Sequence, residues 1–249
     1  MHRLIVALML GLAPAMAQGA EVKILTAGAM KAVVLELVPQ FEKETGHKAI
    51  VDNDTAGGIT RRIEGGEVFD VVVSTPSSLN DLMAKGKVAT RVLLARVGVG
   101  VVVKDGAPAP DISSVDAFKR ALLAAKSVAY IDPASGGSSG IYLSGLFEKL
   151  GIAAEIKPKA KLKQGGYVAD LIASGEAELG LHQISEILPV KGVKLVGPLP
   201  AEIQNYTTYA AGPAPDSKQF DAALKLIALL GGPSADSVLK ARGMERPPS

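Results

Sequence analysis

Phe69 to Val73 reads FDVVV, a nearly unbroken apolar run. A strand of that kind is buried on both faces, as in a parallel sheet covered by helices. The neighbouring segments agree. Upstream, Ile59 to Glu64 reads as a short helix closed by Gly65 and Gly66, and Ala49 to Val51 as a short strand leading into the loop Asp54 to Gly58. Before these, Val33, Val34, Leu37, Val38 and Phe41 form a helical stripe within Lys31 to Thr45. Pro39 should kink or break that helix, and Gly46 is its natural C-cap. Glu21 to Thr26 (EVKILT) alternates as a first strand, and Ser77 to Ala84 reads as a helix after the apolar run. The resulting β-α-β-α-β-α order implies a parallel sheet with helices on its faces.

A second α/β unit follows. Arg96 to Lys104 (RVGVGVVVK) is a long strand. Helix Ser114 to Ala125, strand Ser127 to Ile131, helices Ser138 to Leu150 and Gly166 to Ser174, and strands Leu179 to His182 and Val193 to Val196 come next. Tyr206 to Ala211 (YTTYAA) is a late strand, and helices Phe220 to Leu230 and Ala235 to Ala241 close the chain. The expected architecture is two lobes, each a mainly parallel sheet flanked by helices. Residues 18–98 and 207–249 make one lobe and 99–206 the other. Arg96 to Lys104 and Tyr206 to Ala211 form a two-strand hinge. Ligands bind at the carboxyl ends of strands in such sheets, so a ligand would be trapped between the lobes.

Composition narrows the function. The 249 residues carry 27 Lys plus Arg against 25 Asp plus Glu, which leaves no electrostatic footprint for nucleic acid. The absence of cysteine excludes disulfides and thiolate catalysis. Three histidines, His2, His47 and His182, give no metal-ligand spacing. No G-x-G-x-x-G or Walker pattern occurs, so neither metal nor nucleotide cofactor is expected. Residues 1–17 place Arg3 before the apolar run Leu4 to Leu12 and end in Ala15-Met16-Ala17. That order reads as a secretory signal peptide, cleaved after Ala17, and implies export to the periplasm. The run is shorter than the ~20 residues that a membrane span requires.

Three segments rich in glycine or hydroxyls open helices: Ala27 to Met30, Thr55 to Gly58, and Ala134 to Gly140. Helix N-termini present unpaired N–H groups and hold anions without Lys or Arg. One such segment alone is an ordinary turn with an N-cap; three spread over both lobes point to a shared anion site. The expected contacts are Gly28, Ala29, Met30, Thr55, Ala56, Gly57, Ser135, Ser138 and Ser139, with Tyr167, His182 and Gln183 completing the wall.

FEKETG (Phe41 to Gly46), RRIEGGEVFDVVVST (Arg61 to Thr75), DPASGGSSGIYLSGLFEKLGI (Asp132 to Ile152) and VADLIASGEAELGLHQISEI (Val168 to Ile187) follow one another in the chain. In that order they resemble the periplasmic molybdate-binding protein family of the type 2 periplasmic-binding-protein fold. The resemblance implies a monomeric receptor that closes around a small anion without cofactor and delivers it to an inner-membrane ABC transporter permease. It implies a serine pair after the first strand, where this chain has Gly28-Ala29-Met30. Where serine is common in the second segment the chain has Ala56 and Gly57. Gln183 replaces a frequent tyrosine, and Glu186 stands where aspartate is usual. Both a molybdate-like oxyanion and an organic carboxylate remain open as ligands. The family also resembles a periplasmic aconitate isomerase. That likeness makes His182, Glu186 and Tyr167 the candidate proton carriers, and Arg61 or Arg62 the candidate carboxylate partners, with binding alone as the leading reading. The effector domain of a transcription regulator shares the fold but fits neither the leader nor the lack of a DNA-binding segment.

Overall fold

The structure is a computed structural model that describes residues 19–248. The leader, residues 1–17, lies outside the described residues. In chain order the first half contains β1 (Glu21–Ala27), α1 (Gly28–Thr45), β2 (Lys48–Asp54), α2 (Ala56–Glu64), β3 (Val71–Ser74), α3 (Pro76–Ala84), β4 (Val92–Lys104) and α4 (Val115–Ala124). Then come β5 (Val128–Ile131), a 3-10 turn at Pro133–Ser135, α5 (Ser138–Lys149), α6 (Ala153–Ile156), β6 (Ala160–Lys163) and α7 (Ala169–Ala173). The chain continues through β7 (Leu179–Gln183), α8 (Ile184–Ile187), β8 (Val193–Pro198), β9 (Tyr206–Pro213), α9 (Phe220–Gly231), α10 (Asp236–Ala241) and β10 (Met244–Glu245).

The strand order is β2-β1-β3-β9-β4-β7-β5-β6, with β8 and β10 also on β4. β1 pairs in parallel with β2 and β3, and β5 with β6 and β7. These are the expected parallel cores. The crossing strands instead run antiparallel: β9 joins β3 to β4, and β4 continues against β7 and β8. β4 changes partners in mid-strand. Its residues up to Gly98 pair with β9, and those from Val99 onward pair with β7.

The buried apolar residues divide at the same point. One core draws on residues 22–97 and 209–244, and two further clusters draw only on residues 99–203. Val71, Val72 and Val73 are fully buried in the first core, which is why this run contains no polar residue. The architecture is the two-lobed α/β fold of periplasmic binding proteins.

Local departures from the sequence pattern have physical causes. α1 begins at Gly28, three residues before the apolar stripe suggested. It also runs unbroken through Pro39. Pro39 and Leu35 are both exposed, so water can take the Leu35 carbonyl that proline leaves without a donor. Gly46 caps the helix in the left-handed conformation, at φ 72°. β6 was not anticipated. It is a four-residue edge strand, AKLK, whose lysines suit an exposed sheet edge.

Candidate functional site

α1, α2 and α5 all begin at one small cleft. Each follows the carboxyl end of a strand or the turn after it, so the fold delivers the three helix starts to one place. Gly28, Ala29, Thr55, Ala56, Ser138, Ser139, His182 and Glu186 line the cleft. So do Ala27, Asp54 and Gly137, which lie in the segments named from the sequence without being expected contacts, and Ile131, Gly165, Gly166 and Tyr209, which the sequence pattern does not single out.

The helix starts differ in what they leave unpaired. α3 and α4, which do not line the cleft, are capped by the Thr75 and Ser114 hydroxyls. α1 and α5 begin after Ala27 and Gly137, and neither receives a side-chain cap. Their first-turn N–H groups therefore remain available to a ligand. α2 is already engaged. Thr55 Oγ1 accepts from Gly58 N at 3.0 Å, and Gly57 N donates to Gly136 O at 3.0 Å.

Gly57 therefore does not face the cleft. It touches the opposite half of the protein, where a Cβ on it would lie 2.8 Å from Gly136 Cα. Two more bonds cross at that point. Thr55 Oγ1 donates to Ser135 O at 2.6 Å, and Arg61 Nη2 donates to the same carbonyl at 3.0 Å. Arg62 turns away, onto Asp52 and Glu67 of its own lobe. With Lys23 it holds the Glu67 carboxyl down to about 2.

Four other expected contacts lie off the cleft. Met30 is fully buried in the first core, because it faces inward one residue after Ala29. The Ser135 hydroxyl donates to Asp132 O at 2.8 Å and closes its own turn. Gln183 is fully buried behind the wall, with Nε2 donating to Thr207 Oγ1 at 2.8 Å and Ser138 Oγ at 3.3 Å. Tyr167 stands beside Lys31, whose ammonium is 5.8 Å from the ring centre, and burial raises its phenol pKa.

His182 and Glu186 form the most perturbed pair in the wall. His182 Nε2 is 3.3 Å from Glu186 Oε2, and both side chains are buried. Burial pushes the Glu186 carboxyl up to about 8, against a smaller opposing pull from Lys31. Burial, aided by Lys163, pushes His182 down to about 3. Burial thus disfavours charge on both members of the pair. Among the described residues His182 Nδ1 has no protein partner. Gly28 makes room for this arrangement: a Cβ there would sit 2.4 Å from Glu186 Oε1. A side chain at 28 and the Glu186 carboxyl in this position exclude each other.

Among the described residues no group of three His, Asp or Glu side chains is placed to hold a metal ion. The fold and its cleft of uncapped helix starts define a solute-binding protein with two lobes. The chain belongs to the bacterial extracellular solute-binding protein family, whose model matches residues 22–245. It is 35% identical over 234 residues to an aconitate isomerase from Pseudomonas sp., covering 91% of this chain and 88% of that protein. It is 30% identical over 260 residues to a molybdate-binding protein of Azotobacter vinelandii, covering 98% and 97%. The solved Azotobacter vinelandii periplasmic molybdate-binding protein superposes with a TM-score of 0.76 at 20% identity, over 91% of this chain and all of that one.

Proposed function

We propose that the protein captures a small organic carboxylate by hinge closure between a lobe of residues 18–98 and 207–249 and a lobe of residues 99–206. On this reading it works as a monomer in the periplasm and hands its ligand to an ABC transporter permease. The carrying observation is the Glu186 carboxyl lying against Gly28 in the cleft wall. A neutral carboxylic acid donates a hydrogen bond to a carboxylate. The uncapped starts of α1 and α5 add backbone donors. A tetrahedral dianion such as molybdate would find fewer partners. The hydroxyls that the family usually offers near 28–30 are absent, and Gly57 N is already bonded. The test is a thermal-shift series against molybdate, tungstate, sulfate, and di- and tricarboxylates. A ligand that binds only the folded state raises the melting temperature by mass action. Stabilisation by a carboxylate and not by molybdate is expected; the reverse order would overturn the proposal.

A second reading, an isomerase acting on an unsaturated tricarboxylate such as aconitate, is favoured by the His182–Glu186 pair and by the aconitate isomerase relative. The neutral imidazole can take a proton from the methylene carbon of the substrate. The electron pair left behind spreads over the allylic system into the adjoining carboxylates. The double bond loses its fixed geometry in that anion, and the Glu186 acid can return a proton to carbon. Proton transfer across the His182–Glu186 contact then restores the starting state. The substrate is neither oxidised nor reduced, and the cycle is closed without a cofactor. NMR of trans-aconitate incubated with the protein decides the matter. If the reading holds, wild type interconverts the isomers and His182→Ala lowers turnover by ~10²-fold or more while still binding. Unchanged trans-aconitate with wild type leaves capture alone.

A further inference from the structure

Tyr209 takes no part in either reading above, yet it stands in the cleft wall. It lies on β9, is only 3% exposed, and brings its hydroxyl within 3.3 Å of Ser138 Oγ. Ser138 belongs to the helix start on the opposite side, so the contact joins the two cores. A short polar chain leads to it. The Gln183 amide uses both hydrogens, one on Thr207 Oγ1 at 2.8 Å and one on Ser138 Oγ at 3.3 Å.

The donor count around this chain does not close. Ser138 Oγ accepts from Gln183, so its own hydrogen is still to be given. Tyr209 also has one hydrogen. Between the two oxygens there is a single contact, which uses one of these hydrogens. Among the described residues neither hydroxyl has another acceptor. With the Gln183 amide oriented this way, one O–H of the pair is left over at the cleft wall, and among the described residues the buried Gln183 Oε1 is without a partner too. Tyr209 is buried and both residues line the cleft, so a ligand acceptor there meets the surplus donor. Burial and the nearby Glu186 raise the phenol pKa, so Tyr209 stays protonated and can only gain by meeting an acceptor.

We infer that Tyr209 is a ligand-holding residue: its hydroxyl, set by Ser138 and Gln183, donates to a carboxylate of the bound ligand once the lobes have closed. The inference rests on the carboxylate-capture reading. It assigns the pairing strand β9 a part in recognition as well as in connection. Ligand, Tyr209 and Ser138 then form one unit across the cleft, so binding and closure favour each other.

The test is titration calorimetry of wild type, Tyr209→Phe and Ser138→Ala with two probes, trans-aconitate and citrate, alongside melting curves without ligand. Phenylalanine keeps the ring and removes only the hydroxyl. The expected result is affinity at least about 10-fold weaker for the probe that wild type binds, with the ligand-free melting temperature unchanged or higher. A purely structural tyrosine would show the opposite pattern, a lower melting temperature with affinity retained. Wild-type affinity in Tyr209→Phe overturns the inference and leaves the capture reading standing. Failure of wild type to bind either probe overturns the capture reading and the inference with it. If Tyr209→Phe does not fold, Ser138→Ala decides: it removes one of the two hydroxyls and the setting of the other, so undiminished affinity overturns the inference.

Discussion

Gly57→Ala separates closure from folding. Gly57 sits in the first turn of α2, where alanine favours the helix over glycine by up to about 1 kcal/mol. Its backbone is not in the left-handed region, so the substitution brings no conformational strain of its own. The obstacle lies across the cleft mouth. The new methyl would be 2.8 Å from Gly136 Cα and 3.2 Å from Gly136 O. Gly136 holds φ at 81° in a tight turn and has little freedom to retreat. Separating the two surfaces breaks Gly57 N to Gly136 O, Thr55 Oγ1 to Ser135 O, and the Arg61 bond to the same carbonyl. Two neutral bonds at ~1 kcal/mol each and one from a guanidinium at ~1.5–3 kcal/mol give roughly 3–5 kcal/mol for complete loss. Partial loss gives less, so this is an upper range. If only the closed form holds ligand, apparent affinity falls with the closed population, by roughly 10²- to 10³-fold or somewhat more. Calorimetric titration measures the affinity. Small-angle scattering at saturating ligand measures whether the molecule compacts. A melting curve without ligand should be unchanged or raised. Wild-type affinity together with wild-type compaction would refute the role of this contact.

Arg61→Ala removes one of the same three bonds without steric conflict. It should weaken binding about 10-fold by titration, although Arg61 does not line the cleft. Gly28→Ser puts a side chain where Glu186 Oε1 now lies and should reduce carboxylate affinity by at least ~10-fold; unchanged affinity would show that Glu186 can move aside freely. The pH dependence of melting tests the buried pair. Glu186, raised from 4.5 to about 8, favours the folded state while protonated, so its contribution declines as pH rises from 4.5 through 8. His182, lowered from 6.5 to about 3, makes stability rise with pH between those values. The effects oppose each other between pH 4.5 and 6.5, and Glu186 acts alone from 6.5 to 8. The melting temperature should therefore fall across that upper window, and Glu186→Gln should flatten the fall.

The lobes were legible because their strands are long apolar runs. Val71 to Val73 and Val99 to Val103 are rich in β-branched residues, and both are buried strand. Short or exposed elements were not. β6 alternates over four residues, and α8 is a single turn immediately after β7. The start of α1 was hidden by the feature that matters for function: Ala27 carries no capping oxygen, so nothing in the sequence marks the boundary. In the site, the helix starts were legible from glycine and hydroxyl clusters. Their division of labour was not. Gly57 meets Gly136 and Thr55 meets Ser135 across about eighty residues of chain, and no local pattern encodes such a pairing. Tyr209 escaped notice for a related reason. Alternation in YTTYAA puts Thr207 and Tyr209 on one face and Tyr206 on the other, but only the pairing of β9 decides which face meets the cleft.

An anion must be held here without a basic side chain, since among the described residues neither Lys nor Arg lines the cleft, while Asp54 and Glu186 do. The two acids are kept from repelling it in different ways. Asp54 accepts from Thr55 N at 2.7 Å and lies 3.9 Å from the Arg62 guanidinium, so its charge is met on the outer side. Glu186 feels only a smaller pull from Lys31, and burial raises its pKa to about 8, which favours its neutral form. That neutrality depends on the environment, and a ligand alters the environment. A bound carboxylate beside Glu186 makes ionising it costlier still, so ligand binding and protonation of Glu186 reinforce each other. On the proposed reading the site therefore favours a ligand whose charge is divided among several carboxylates. One can accept from Glu186 while others meet the starts of α1 and α5. A compact dianion would concentrate its charge on one of these groups and leave the rest unmet. The same neutral acid, set beside a neutral imidazole, is what proton transfer at carbon would use. Capture and isomerisation thus call for one wall, and they part at His182: binding needs only a donor there, while turnover needs a base.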